Sequence, residues 1–128
     1  MPARNARKGH NYELDVIKRL NTILSTLNLI KNDSDLIVSS RSESRRLDAK
    51  KIDLVSNILP CYVQCKSTST TPQIHKILTD PKTPEDRPLV IYHKLTKKKK
   101  NRFMAQGEYV YMGSEFFHTL LINYLDKN

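Results

Sequence analysis

Apolar residues recur at helical spacing near the start of the chain, at Val16, Ile17, Leu20, Ile23, Leu24 and Leu27. That period predicts a long amphipathic helix over residues 10–29. A polar turn at 32–35 precedes a short apolar run at 36–38, read as a strand. Residues 39–51 lose the pattern and are polar and strongly basic. Short apolar segments return over 52–67, and the turn residues at 57–60 divide them into a β-hairpin. A Ser/Thr run at 67–71 leads through Pro72 into a short helix carrying Ile74, Ile77 and Leu78. Residues 80–88 read as loop. The unbroken apolar run at 89–92 predicts a strand buried on both faces. A basic turn at 97–100 and a strand at 109–112 follow. From Gly113-Ser114 a last helix begins, with Phe116, Phe117, Leu120, Leu121, Tyr124 and Leu125 as its apolar stripe. Most of that stripe is assigned to the core. The order helix, strand, hairpin, helix, strand, strand, helix predicts one α/β domain over residues 1–128, with a mixed sheet covered by helices and a basic lead-in at 1–9.

Charge changes this picture from a fold to a partner. Lys and Arg number 22 against 13 Asp and Glu, a net charge of +9, which favours a polyanion and salt-sensitive phosphate contact. The chain has no long apolar run and no basic amphipathic helix with an aromatic face, so no membrane partner is expected. Its basic start lacks the apolar stretch of a secretion signal, and a cytoplasmic location is expected. Cys61 and Cys65 lie four apart on one predicted strand, too far for an unstrained disulfide and without the partners of a zinc site. They read as small thiols in a reducing compartment.

The hairpin carries the candidate chemistry. Asp53 sits in Lys51-Ile52-Asp53-Leu54-Val55, and Gln64 and Lys66 in Tyr62-Val63-Gln64-Cys65-Lys66. Residues two apart on a strand share a face, so Gln64 and Lys66 point together, and the turn can bring Asp53 beside them. An oxygen-rich corner next to an ammonium suits a hard divalent cation and an attacking water. The bland alternative for Lys66 is a solvent-facing lysine at a strand end.

Glu13 stands out on the first helix. At about 100° per residue it falls inside the apolar arc of Val16, Ile17, Leu20, Leu24 and Leu27. A buried carboxylate needs a cation or a metal, whereas at a helix start it can face solvent and favour the dipole. With Asp53, Gln64 and Lys66 on the hairpin, a packed helix would deliver a second carboxylate to the same ion.

Arg7-Lys8-Gly9, Glu13 opening a helix, the Asp53 strand and Val63-Gln64-Cys65-Lys66 together resemble the archaeal-type Holliday junction resolvases. These belong to the PD-(D/E)XK nuclease superfamily. The resemblance runs in motifs over residues 6–67 and more loosely through 89–92 and 108–112. It implies a restriction-endonuclease-like fold, a mixed β-sheet flanked by α-helices, in a Mg²⁺-dependent endodeoxyribonuclease that cuts four-way DNA junctions, with Mn²⁺ as a substitute metal. Glu13 and Asp53 would bind metal, Gln64 would occupy the second acidic position with the Cys65 carbonyl beside it, and Lys66 would be the catalytic lysine. Arg7 and Lys8 would contact DNA phosphates. A residue from Ser40, Arg41 and Ser42 would complete the site. A homodimer is implied by the need for two coordinated cuts.

Two departures are visible. Gln64 stands where the family usually has Glu, and its amide oxygen can coordinate Mg²⁺ without adding charge. The stretch between Glu13 and Asp53 is longer than usual. Further DNA contacts are expected from Arg41, Arg45, Arg46, Lys50 and Lys51 beside the site and from Lys97 and Lys98 in the basic turn. His10, His75, His93 and His118 read as structural or surface residues, although His10 is near enough to Glu13 to reach a phosphate. Two other functions fit the same residues: another PD-(D/E)XK nuclease acting in restriction, repair or replication, and a non-catalytic basic nucleic-acid-binding module.

Overall fold

A computed structural model describes residues 2–39 and 52–127, with side chains for 8–39, 52–54 and 56–127. The first helix, α1 (Pro2–Thr26), begins within the basic lead-in, eight residues before the predicted start at residue 10. Its stripe of Tyr12, Val16 and Leu24 is buried, with Ile17 and Leu20 packed at the margin. Asn28 ends the helix earlier than the apolar pattern suggests. It takes a left-handed φ of 59°. The N–H of Leu29 then reaches the Leu24 carbonyl at 2.9 Å and that of Asn28 reaches Ser25 at 3.0 Å, which satisfies the last turn.

Five strands follow: β1 (Val38–Ser39), β2 (Leu54–Val55), β3 (Tyr62–Thr68), β4 (Leu89–Lys99) and β5 (Arg102–Tyr111). They form one sheet in chain order, antiparallel except for the β3–β4 pair. The parallel pair needs a crossover, and the short helix α2 (Ile74–Leu78) supplies it. The long strands β3, β4 and β5 make the mixed body of the sheet, while β1 and β2 are two residues each. The chain is therefore an α/β domain. Asn21 ties α1 to the sheet margin, donating to the Ile37 carbonyl at 3.1 Å and accepting its N–H at 2.8 Å.

The core lies between α1 and the sheet, where Tyr12, Val16, Leu24, Ile37, Leu54, Val63 and Cys65 cluster. On β4, Leu89, Val90 and Ile91 are all buried, as their unbroken apolar run predicts. Two expectations need correction. Lys97–Lys99 are the end of β4 rather than a turn, and the chain reverses at Lys100, whose φ is 58°. The last helix, α3 (Ser114–Asp126), starts where expected but contains no buried residue. Phe117, Ile122, Tyr124 and Leu125 are each at least half exposed. The core closes on α1 and the sheet without them. Among the described residues no helix is long and apolar enough to cross a membrane.

Candidate active site

The site begins where β2 runs out. Leu54 pairs with Val63 and is 2% exposed, and Ile52 is fully buried, so Asp53 is fixed between two anchored side chains. Its backbone N–H donates to the Val63 carbonyl at 2.9 Å. Its carboxylate Oδ2 accepts the Cys65 N–H at 2.7 Å. A side chain thus takes over from the missing backbone of β2 as the acceptor for β3. In an extended strand the N–H and C=O of one residue point to the same side. The Cys65 carbonyl is therefore directed toward the Asp53 edge as well.

Gln64 is buried, and its Oε1 has no hydrogen-bond partner among the described residues. A buried amide oxygen left in this state carries a desolvation cost that a cation can relieve. Lys66 is half-buried. It lines a cleft of about 450 Å³ with Gln64, Thr68 and Lys76 beside α2. Opposite Lys66 in the register stands His93, which is 1% exposed. Its Nε2 lies 3.0 Å from Thr68 Oγ1. Its Nδ1 is buried with no hydrogen-bond partner among the described residues.

Glu13 is 4% exposed on α1, as its place in the apolar arc predicts rather than as a solvent-facing acid. The Cys65 thiol reports where its charge falls. Burial pushes that thiol's pKa up most, and the negative charges of Asp53 and then Glu13 push it further. Both carboxylates therefore act on the same residue of β3. His10 Nδ1 lies 3.8 Å from Glu13 Oε2. Cys61, half-buried, has its pKa raised to about 11 by burial, so neither thiol is a nucleophile at neutral pH.

The other basic candidates lie apart from this corner. Lys8 Nζ donates to Thr96 Oγ1 at 3.3 Å and sits 4.0 Å over the Phe103 ring. Lys97 and Lys98 are exposed near the tip of the β4–β5 hairpin. Ser40, Arg41, Ser42, Arg45, Arg46, Lys50, Lys51 and the Arg7 side chain lie outside the described residues.

Sequence reasoning missed a clamp behind the site. Tyr12 Oη donates to Glu108 Oε2 at 2.7 Å, and both ends of the Arg19 guanidinium grip the same carboxylate. This fork holds the Glu108 pKa below its ordinary value. Tyr12 and Arg19 are seven apart, two helical turns on one face, but nothing in the sequence links them to a residue 96 and 89 positions later.

The donors fit a hard divalent ion in type but are sparse in charge. Asp53, Glu13, Gln64 Oε1 and the Cys65 carbonyl are all oxygen, the set Mg²⁺ prefers. Among the described residues no three His, Cys, Asp or Glu side chains gather into a metal-holding group. No family model, curated protein or solved structure matches the chain.

Proposed function

We propose that the chain is a metal-dependent, structure-selective DNA endonuclease of the Holliday-junction-resolvase kind, built on a restriction-endonuclease-like α/β fold and acting in the cytoplasm. The observation that carries this reading is the Asp53–Cys65 hydrogen bond at 2.7 Å. It sets a carboxylate and a backbone carbonyl at one strand edge, next to an unpartnered buried amide oxygen and a lysine.

Hydrolysis forms a bond from a water oxygen to phosphorus and breaks the bond to one sugar oxygen, which leaves with a proton. Asp53, Glu13, Gln64 and the Cys65 carbonyl would hold Mg²⁺, or Mn²⁺ in its place. When bound, the ion lowers the pKa of a water and neutralises phosphate charge. Lys66 orients the attacking water or meets the negative charge that develops on the phosphate. Burial of Gln64 and Glu13 keeps bulk water from competing for the donor set. The surplus of positive charge draws the DNA backbone toward the domain.

Resolution of a junction takes two incisions, and a twofold homodimer supplies two sites. The exposed stripe of α3 is the natural seat for the second copy. It carries no cation between Glu115 and Asp126, which disfavours DNA there. An antiparallel pair would set Glu115 of each copy near Lys127 of the other.

Incubation with an immobile four-way junction and with matched linear duplex, in Mg²⁺, Mn²⁺ or EDTA, tests the reading. Paired, metal-dependent nicks confined to the junction are expected. Equal cutting of linear duplex would instead make this a restriction-like or repair nuclease. A second reading rests on the uncharged Gln64: tight binding without cutting in either metal would identify a DNA-binding module with a decayed site.

A further inference from the structure

A cavity of about 420 Å³ opens between the N-terminal half of α1 and the β4–β5 hairpin, and the chemistry above does not use it. Two ammonium groups line it, Lys8 and Lys94, and among the described residues neither has a salt bridge. Asp15 also lies on the wall, and Arg19, 3.1 Å away, is shared between it and Glu108. Asp15 thus offsets one of the two lysines, and the lining keeps one net positive charge. The cavity also has an aromatic wall, Phe103, over which Lys8 Nζ sits at 4.0 Å. Ser67 adds an independent sign of a missing ligand. It is 8% exposed, and its Oγ is buried with no hydrogen-bond partner among the described residues.

Two cations, one aromatic face and an unsatisfied hydroxyl match the parts of one nucleotide: a phosphate, a base and a sugar edge. The volume suits a single small ligand. Ser67 follows Lys66 on β3, so the cavity and the Gln64–Lys66 cleft open on opposite faces of the sheet and share no lining residue.

We propose that this cavity receives one unpaired nucleotide of the bound DNA strand, with its phosphate between Lys8 and Lys94 and its base against Phe103. In this arrangement Lys8 leaves the ring for the phosphate and frees the ring face for stacking. The inference rests on the nuclease reading only for the choice of DNA as the polymer. It gives the protein a reason to prefer branched DNA, since a fully paired duplex offers no base to the cavity without paying to extrude one.

The chain contains no tryptophan, so Phe103→Trp installs the only one, in the cavity, where it can be excited apart from the six tyrosines. The full chain in EDTA is titrated with single-stranded DNA, a four-way junction carrying one unpaired nucleotide at its branch, and linear duplex. Binding is followed separately by the anisotropy of labelled DNA. The tryptophan emission is expected to be quenched by the first two and unchanged by duplex. Phe103→Ala should bind single-stranded DNA about tenfold more weakly with duplex binding unaltered. Lys94→Gln should lower the slope of log affinity against log salt by about one. Unchanged emission at saturating single-stranded DNA, or a Phe103→Ala variant that binds all three DNAs like the parent, overturns the proposal. Because no metal is present, these outcomes are independent of cleavage. A quenched cavity in a protein that never cuts keeps the pocket and removes the nuclease, and the reverse result does the opposite.

Discussion

The Asp53 carboxylate accepts the Cys65 backbone N–H at 2.7 Å, so one side chain ends a β-ladder and, in the proposed nuclease, would also supply a metal-site oxygen. The two roles separate by substitution. Asp53→Asn keeps an acceptor oxygen for the Cys65 N–H but loses the charge, so cleavage should fall by at least about a hundredfold. Its melting temperature should stay close to the parent's. Asp53→Ala also leaves the N–H unpaired and should cost a further ~1–2 kcal/mol in denaturant unfolding. Equal stability of the two variants would show that the hydrogen bond is not structural.

Gln64→Glu tests whether position 64 faces a cation. The residue is 6% exposed, so a carboxylate there costs several kcal/mol without a counter-ion, about 3 by analogy with unpaired buried charges. Burial raises the pKa of such a carboxyl. The metal-free variant should therefore lose stability as pH rises through that value. Mg²⁺ should raise its melting temperature more than the parent's, and the Mg²⁺ concentration for half-maximal cleavage should drop. An identical Mg²⁺ response in both proteins would place the amide oxygen away from any ion.

The Glu108 clamp makes an acid-sensitive contribution. Its folded pKa is depressed, chiefly by the Arg19 hydrogen bonds. Stability from this source is complete above the unfolded carboxylate value of about 4.3 and is lost as pH falls through the lower folded value. Because the carboxylate is one-third exposed, the contribution is screened to about 1 kcal/mol. Urea unfolding of Glu108→Gln should show that deficit at pH 7 and a smaller one near pH 3. A deficit that does not shrink in acid would mean the clamp acts through packing alone.

The exposed stripe of α3 gives a prediction about assembly. Leu121 is 41% exposed and Ile122 65%, so a carboxylate at either position finds water in a monomer but is buried in a dimer. Sedimentation equilibrium should give twice the chain mass for the parent and the chain mass for Leu121→Glu. A parent that remains monomeric at tens of micromolar would remove the two-site account of junction resolution.

Elements with strong periodicity were legible in the sequence. The Leu89–Ile91 run and the 52–67 hairpin form as their patterns require, and the α1 stripe does so at Val16, Ile17, Leu20 and Leu24, whereas Ile23 and Leu27 from the same pattern are exposed. The burial of Glu13 was legible from its place in the α1 arc. Two kinds of feature were not. Helix α3 has a full apolar stripe, yet periodicity states that a face must be covered and not by what. The Tyr12–Glu108–Arg19 clamp joins residues far apart in sequence, and only the β4–β5 pairing brings Glu108 to α1. In the same way, the Asp53–Cys65 bond depends on β2 beginning only at Leu54, which leaves Asp53 just outside the ladder.

The most direct test of the metal-dependent nuclease is single-turnover cleavage of a four-way junction by the parent chain and by Lys66→Ala, with junction affinity measured in parallel in EDTA. The account predicts Mg²⁺-dependent nicks at symmetric positions from the parent, at least a hundredfold slower cutting by Lys66→Ala, and affinities within about threefold of each other. Cutting by Lys66→Ala at the parent's rate, or a parent that binds the junction and leaves it intact in both Mg²⁺ and Mn²⁺, would contradict it.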